Sequence, residues 1–144
     1  MKRVEDWVQR LEQVLKETRD KPFNWGTFNC CIFTANCVEA QTGVDFMKDI
    51  RTQIKDKKTV TTYLKKHAGG SLIRFVEHII TTLDLKEINS AYVQRGDVVI
   101  TKNISGCRAM AVVDLSGRSI VLIHPGMGCF NAPLDRIERA WRIS

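Results

Sequence analysis

Arg95-Gly96-Asp97-Val98-Val99-Ile100-Thr101 is the stretch that decides the fold, because the chain changes character there. Up to about residue 90 apolar residues recur at helical steps; beyond it β-branched residues take over and the period becomes strand-like. Arg95-Gly96-Asp97 reads as a turn delivering the short apolar strand Val98 to Thr101, and a turn-capping hydrogen bond accounts for Asp97. One switch from helical to strand period predicts an α+β domain, N-terminal helices followed by an antiparallel β-sheet.

Upstream of that switch, Val4, Trp7, Val8, Leu11, Val14 and Leu15 predict an amphipathic first helix that ends before Pro22. An aromatic loop follows, with Phe23, Trp25 and Phe28 near enough to cover the end of another element. Asn29 is a good N-cap and Gly43 a good C-terminal stop, so a second helix is expected between them with Phe33, Cys37 and Val38 facing inward. Shorter helical pieces are expected over residues 46–54 and 60–67. After Gly69-Gly70, Ser71 should open a helix running to Leu83. Downstream, residues 110–115 and 119–124 read as a hairpin through Ser116-Gly117-Arg118. Pro125-Gly126-Met127-Gly128 should form a turn exposing Met127, since it lacks the strand–loop–helix setting of a phosphate loop. Residues 129–131 read as a brief strand, 134–139 as a helical turn and 140–143 as a closing strand, with Trp141 as a core plug.

The 144 residues suit one domain spanning 1–144, and a 44% hydrophobic content supplies a core. The net charge of +6 is dispersed, apart from Lys55, Lys57, Lys58, Lys65 and Lys66 around one expected helix, and reads as a solubilising surface. No nucleic-acid module accompanies the lysines, so no specific nucleic-acid partner is expected. No stretch has signal-peptide or membrane-span character, so a soluble chain made in a cytoplasm, without membrane insertion, is expected. The five cysteines form no paired CxxC units, and reduced, mostly buried thiols are the first reading. A metal or iron–sulfur site using several of them is the alternative; no cofactor is expected.

Cys30 is the one plausible nucleophile. It stands in the first turn of the second helix, where unpaired backbone N–H groups and the positive end of the helix dipole favour a thiolate. Such a sulfur needs an imidazole within reach, and the chain has three histidines. His67 and His78 fall on helices, where solvated or packing roles suffice. His124 closes a sheet strand just before a glycine-rich turn and is the candidate base.

The order of these features resembles the NlpC-type, papain-like cysteine peptidases and amidases. Trp25-Gly26-Thr27-Phe28-Asn29-Cys30 is similar to that family's aromatic-Gly-x-x-Asp-Cys segment, with Asn for Asp, and Arg95-Gly96-Asp97-Val98-Val99 to its Gly-Asp strand start. A closer resemblance covers nearly the whole chain: Pro22-Phe23-Asn24-Trp25-Gly26, Asn29-Cys30-Cys31-Ile32-Phe33, Thr42-Gly43-Val44-Asp45, Arg95 to Val99 and Ala140-Trp141-Arg142-Ile143 look like an NlpC-related family encoded in phage and prophage tail modules. This resemblance implies a papain-like fold and a structural or assembly role at a phage tail tip, in the virion, contacting hub or distal tail proteins. Exposed loops such as 45–58 and the Pro125 turn would make those contacts.

NlpC-type enzymes carry their base histidine in a His-x-Gly-apolar pattern at the start of the first hairpin strand. The matching stretch here is Cys107-Arg108-Ala109-Met110-Ala111-Val112, without histidine, while His124 matches their third, orienting position. Loss of a positioned base removes a proton transfer worth about 10²–10⁴-fold, so the resemblance implies a degenerate site. The alternative is an active peptidase or amidase on peptidoglycan peptides during DNA entry, in which His124 reaches Cys30 directly and Cys107 or Arg108 alters the local field.

Overall fold

The computed structural model describes all residues from 1 to 144. Four helices precede the whole sheet: α1 (Trp7–Thr18), α2 (Cys30–Thr42), α3 (Lys57–Ala68) and α4 (Leu72–Leu83). The strands are β1 (Lys86–Ile88), β2 (Val98–Thr101), β3 (Met110–Val113), β4 (Ser119–His124), β5 (Gly128–Pro133) and β6 (Ile137–Arg142). They form one antiparallel sheet in the order β1-β6-β2-β3-β4-β5. The expected α+β class, helices first, is what the chain adopts.

α2 is the central helix, packed on one side by α1 and on the other by β3 and β4. Its burial therefore extends beyond the expected stripe of Phe33, Cys37 and Val38 to Ile32, Thr34, Ala35 and Gln41. Gly43 ends it at φ 81°, the left-handed conformation that favours glycine. Val98, Ile100, Met110, Val112, Val121, Ile123 and Trp141 belong to the main core with the helices. The alternate residues bury a second cluster that includes Val99, Ala111, Val113, Ile120, Leu122 and Ala140. Burial on both faces is why β2, β3 and β4 read as continuous apolar runs instead of alternating ones.

Asp97, fully buried, ties the fold together. Its carboxylate accepts the Gln94 backbone N–H at 2.7 Å, the expected turn cap, and lies 3.0 Å from the Arg142 guanidinium on β6 and 3.8 Å from that of Arg3. Arg3 also donates to the side chain of buried Gln41, whose amide donates in turn to the Gly96 carbonyl.

Three expectations change. Residues 46–53 form consecutive turns instead of a helical piece, because the Asp45 carboxylate accepts the Met47 N–H and grips Arg51, while Thr52 and Gln53 return their side chains to the Asp49 carbonyl. Residues 134–139 split into a 3₁₀ turn, Leu134–Arg136, and the start of β6, which pairs with β2 from Ile137 onward. β1 is an additional edge strand on β6, held from outside by Arg139, which bonds Glu87 on β1 and Glu77 on α4. No helix is long and apolar enough to cross a membrane.

Candidate functional site

A tight loop sets the start of α2. Asn24 and Phe28 exchange backbone hydrogen bonds at 3.0 and 2.9 Å, and the Asn24 side-chain oxygen accepts the N–H groups of Gly26 and Thr27. Asn29 then works in both directions. Its Oδ1 accepts from Cys31 N–H and Ile32 N–H, each at 3.0 Å, while its Nδ2 donates to the Trp25 carbonyl at 2.8 Å. An aspartate could cap the helix but could not make the second bond. Asn in place of Asp therefore closes the loop and keeps a negative charge away from the adjacent sulfur. Gly26 lets residue 55 approach: a Cβ on it would lie 2.1 Å from the Lys55 carbonyl.

Cys30 is half-buried at the head of α2. Its thiol pKa is lowered, first by the hydrogen bond with Cys31, Sγ to Sγ 4.0 Å, and then by backbone N–H groups of Met110, Cys31 and Cys30 itself; burial opposes them. The other four thiols go the other way. Cys31 is pushed well up by its pairing with Cys30 and by burial, and Cys37 far up by burial. Burial raises Cys107 and Cys129 too, with the nearby Cys30 adding to the rise at Cys107. Cys30 is thus the thiol most disposed to ionise.

His124 closes β4 and is buried, 5% exposed. Gly126 N–H donates to its Nδ1 at 3.1 Å. The ring proton is therefore on Nε2, which donates to the Ile104 carbonyl at 2.9 Å and lies 3.2 Å from Cys107 Sγ. The hydrogen-bonding partners of His124 are thus Gly126, Ile104 and Cys107, while the side-chain partner of Cys30 is Cys31. Cys107 is delivered by a narrow loop in which Ile104 and Cys107 exchange backbone bonds across Ser105 (φ 47°) and Gly106 (φ 94°). His67 and His78 are exposed on α3 and α4, His67 lying over the Tyr63 ring.

Cys30, Cys31 and Cys107 all open into one cavity of about 220 Å³. Phe23 and Trp25 come from the loop before α2, Met47, Ile50 and Ile54 from the turn segment, Tyr63 and Leu64 from α3, and Leu72 and Phe75 from α4. Fifteen of the eighteen lining residues are hydrophobic. Asn29 is engaged in its cap and Arg108 with Glu138 at 3.0 Å, while the Tyr63 hydroxyl adds one polar group to the wall.

The model of a domain of unknown function, DUF6950, matches residues 2–143. The chain belongs to the DUF6950 family. No curated protein matches it.

In this DUF6950 chain no three His, Cys, Asp or Glu side chains converge as metal ligands would, and all five cysteines are free thiols. The sequence points to Cys30 and His124 one by one, and the structure brings each to the same end of the sheet without bonding them together. It joins His124 to Cys107, a residue expected only to modify the local field. The cavity is the feature sequence reasoning missed. Its one legible trace is the aromatic Phe23 and Trp25 pair beside Cys30, which read as cover for the end of an element.

Proposed function

We propose that this protein is a structural or assembly component of a phage tail tip, carried in the virion, with a degenerate cysteine-peptidase-like site. The frame is read as papain-like and NlpC-type, since a helix headed by a cysteine packs on an antiparallel sheet whose β4 ends in histidine. The observation that carries the non-catalytic reading is the bonding of His124. With Nδ1 accepting from Gly126 and the Nε2 proton given to Ile104, the imidazole has no lone pair to offer a thiol. Cys30 is left without a proton shuttle, and amide cleavage needs one both to activate the nucleophile and to protonate the leaving amine.

The tail context comes from the resemblance, and the candidate recognition surface is the turn segment. Its inner residues Met47, Ile50 and Ile54 are buried, while Lys48, Asp49, Lys55, Lys57 and Lys58 are exposed. An anchored inner face with a charged outer face suits contact with hub or distal tail proteins after synthesis in the host cytoplasm. Deleting the gene from a phage or prophage should give particles with defective tail tips, restored by both wild-type and Cys30→Ala protein. Normal, infectious tails without the protein would overturn the structural role.

The alternative, a cysteine peptidase or amidase on peptidoglycan peptides, is favoured by the lowered pKa of Cys30. Cys30-dependent release of stem-peptide fragments from purified peptidoglycan would establish it in place of the first reading.

A further inference from the structure

The cavity over Cys30 combines three properties that together specify a ligand. It is apolar on nearly every side, its polar side chains are few, with Asn29 held in its cap and Arg108 paired with Glu138, and three thiols, Cys30, Cys31 and Cys107, reach it. A peptide would bring several amide groups into a space with few donors or acceptors to meet them, at a desolvation cost that apolar walls cannot offset. A neutral hydrocarbon chain meets no such penalty. A cavity of ~150 Å³ lined by Leu, Ile and Phe takes up benzene, six carbons. By proportion the present 220 Å³ holds a chain of roughly eight or nine carbons.

The chemistry open to a sulfur without a base is equally narrow. An amine or alkoxide leaving group needs a proton, which nothing beside Cys30 supplies. A thiolate leaves unaided, because its pKa is close to that of the attacking sulfur. From the pocket and the bonding of His124 we propose that Cys30 is a site of S-acylation, accepting a medium-length aliphatic acyl group from an acyl thioester. Cys30 Sγ, as thiolate, attacks the thioester carbonyl carbon. The new bond is Sγ to acyl carbon, the bond broken is that carbon to the donor sulfur, and the donor leaves as thiolate and takes its proton from water. No electron change occurs. The hydrocarbon tail lies among Met47, Ile50, Ile54, Val60 and Leu64, and the acyl group is retained because hydrolysis would require a base to activate water. The lowered thiol pKa of Cys30 supplies the reactive form.

The proposal goes beyond the tail role and does not rest on it. The protein is incubated with S-octanoyl- or S-acetyl-N-acetylcysteamine and followed by intact mass and peptide mapping. The expected result is one octanoyl group on Cys30, released by neutral hydroxylamine, and formed at least about tenfold faster than the acetyl adduct because of the added buried methylenes. Cys129→Ser, outside the cavity, should acylate normally and Cys30→Ala should not. Val60→Trp, which fills the cavity from α3, should slow octanoylation while sparing acetylation, with circular dichroism reporting its fold. Equal rates for the two chains, label scattered over several cysteines, or no adduct on a Cys30 that iodoacetamide still alkylates would each overturn the proposal. None of these three results bears on tail assembly, so the two readings fail separately.

Discussion

The backbone N–H of Gly126 donates to His124 Nδ1 at 3.1 Å, and this bond fixes the tautomer of the ring. Because the imidazole is held for structure, His124→Asn, whose amide oxygen can stand where Nδ1 stands, should leave the alkylation rate of Cys30 within about twofold. Both protein variants bear on the point: His124→Ala should also leave that rate nearly unchanged, while losing about 1–3 kcal/mol in urea unfolding as the Gly126 N–H and Ile104 carbonyl lose their partner. A tenfold fall in Cys30 reactivity in the Asn variant would mean that His124 does serve the sulfur.

Among the five thiols Cys30 should alkylate first. Its rate should rise with the thiolate fraction through a midpoint below the ordinary thiol value of about 8.5, since its pKa is lowered chiefly by the Cys31 hydrogen bond. Cys31→Ala removes that cause and should move the midpoint upward. Mass-resolved iodoacetamide labelling across pH measures both effects, and an unmoved midpoint would assign the activation to the helix N-terminus instead.

Cys37 is fully buried and its thiol stays protonated far above the usual range. An acid whose pKa is raised by folding contributes stability below its unfolded pKa and loses it as pH rises beyond that value. Above about pH 8.5 the unfolded chain releases this proton while the folded chain keeps it, so Cys37 should make stability fall by up to about 1.4 kcal/mol per pH unit. Cys37→Ala should be less stable at neutral pH through its lost packing, but with a shallower decline between pH 8.5 and 10 in chemical unfolding.

Gly26→Ala drives a methyl group into the backbone of Lys55. The loop carrying Ile54 must then move away, at a cost of about 1–3 kcal/mol for the overpacking. Since Ile54 lines the cavity, uptake of an apolar fluorophore there should change in the same variant, whereas Gly117→Ala, with open space around it, should leave uptake unaltered.

Long periodic segments were legible from sequence: α1, α4 and the Asn29 cap with its Gly43 stop follow from spacing and end chemistry alone. Where side chains settle local geometry the pattern misleads. Residues 46–54 carry helix-like apolar spacing in Met47, Ile50 and Ile54, yet Asp45, Thr52 and Gln53 bond the backbone locally and hold it in turns. β1 is too short, and too charged in Lys86-Glu87, to announce itself; its place on β6 follows from long-range pairing and from Arg139. At the site, the position of Cys30 could be read because it depends on its own helix. The partner of His124 could not, because it depends on a narrow loop with two left-handed residues, Ser105 and Gly106, bringing Cys107 across seventeen positions.

One carboxylate, that of Asp97, holds both the Arg3 segment and the last strand through Arg142, and Arg3 and Ser144 share a backbone bond beside it. Neither the Arg3 segment nor the last strand can therefore peel back alone, and their separate local opening is suppressed. Hydrogen exchange at Arg3 and Ser144 should accordingly follow the whole-molecule opening reaction, with the protein melting as a single cooperative unit.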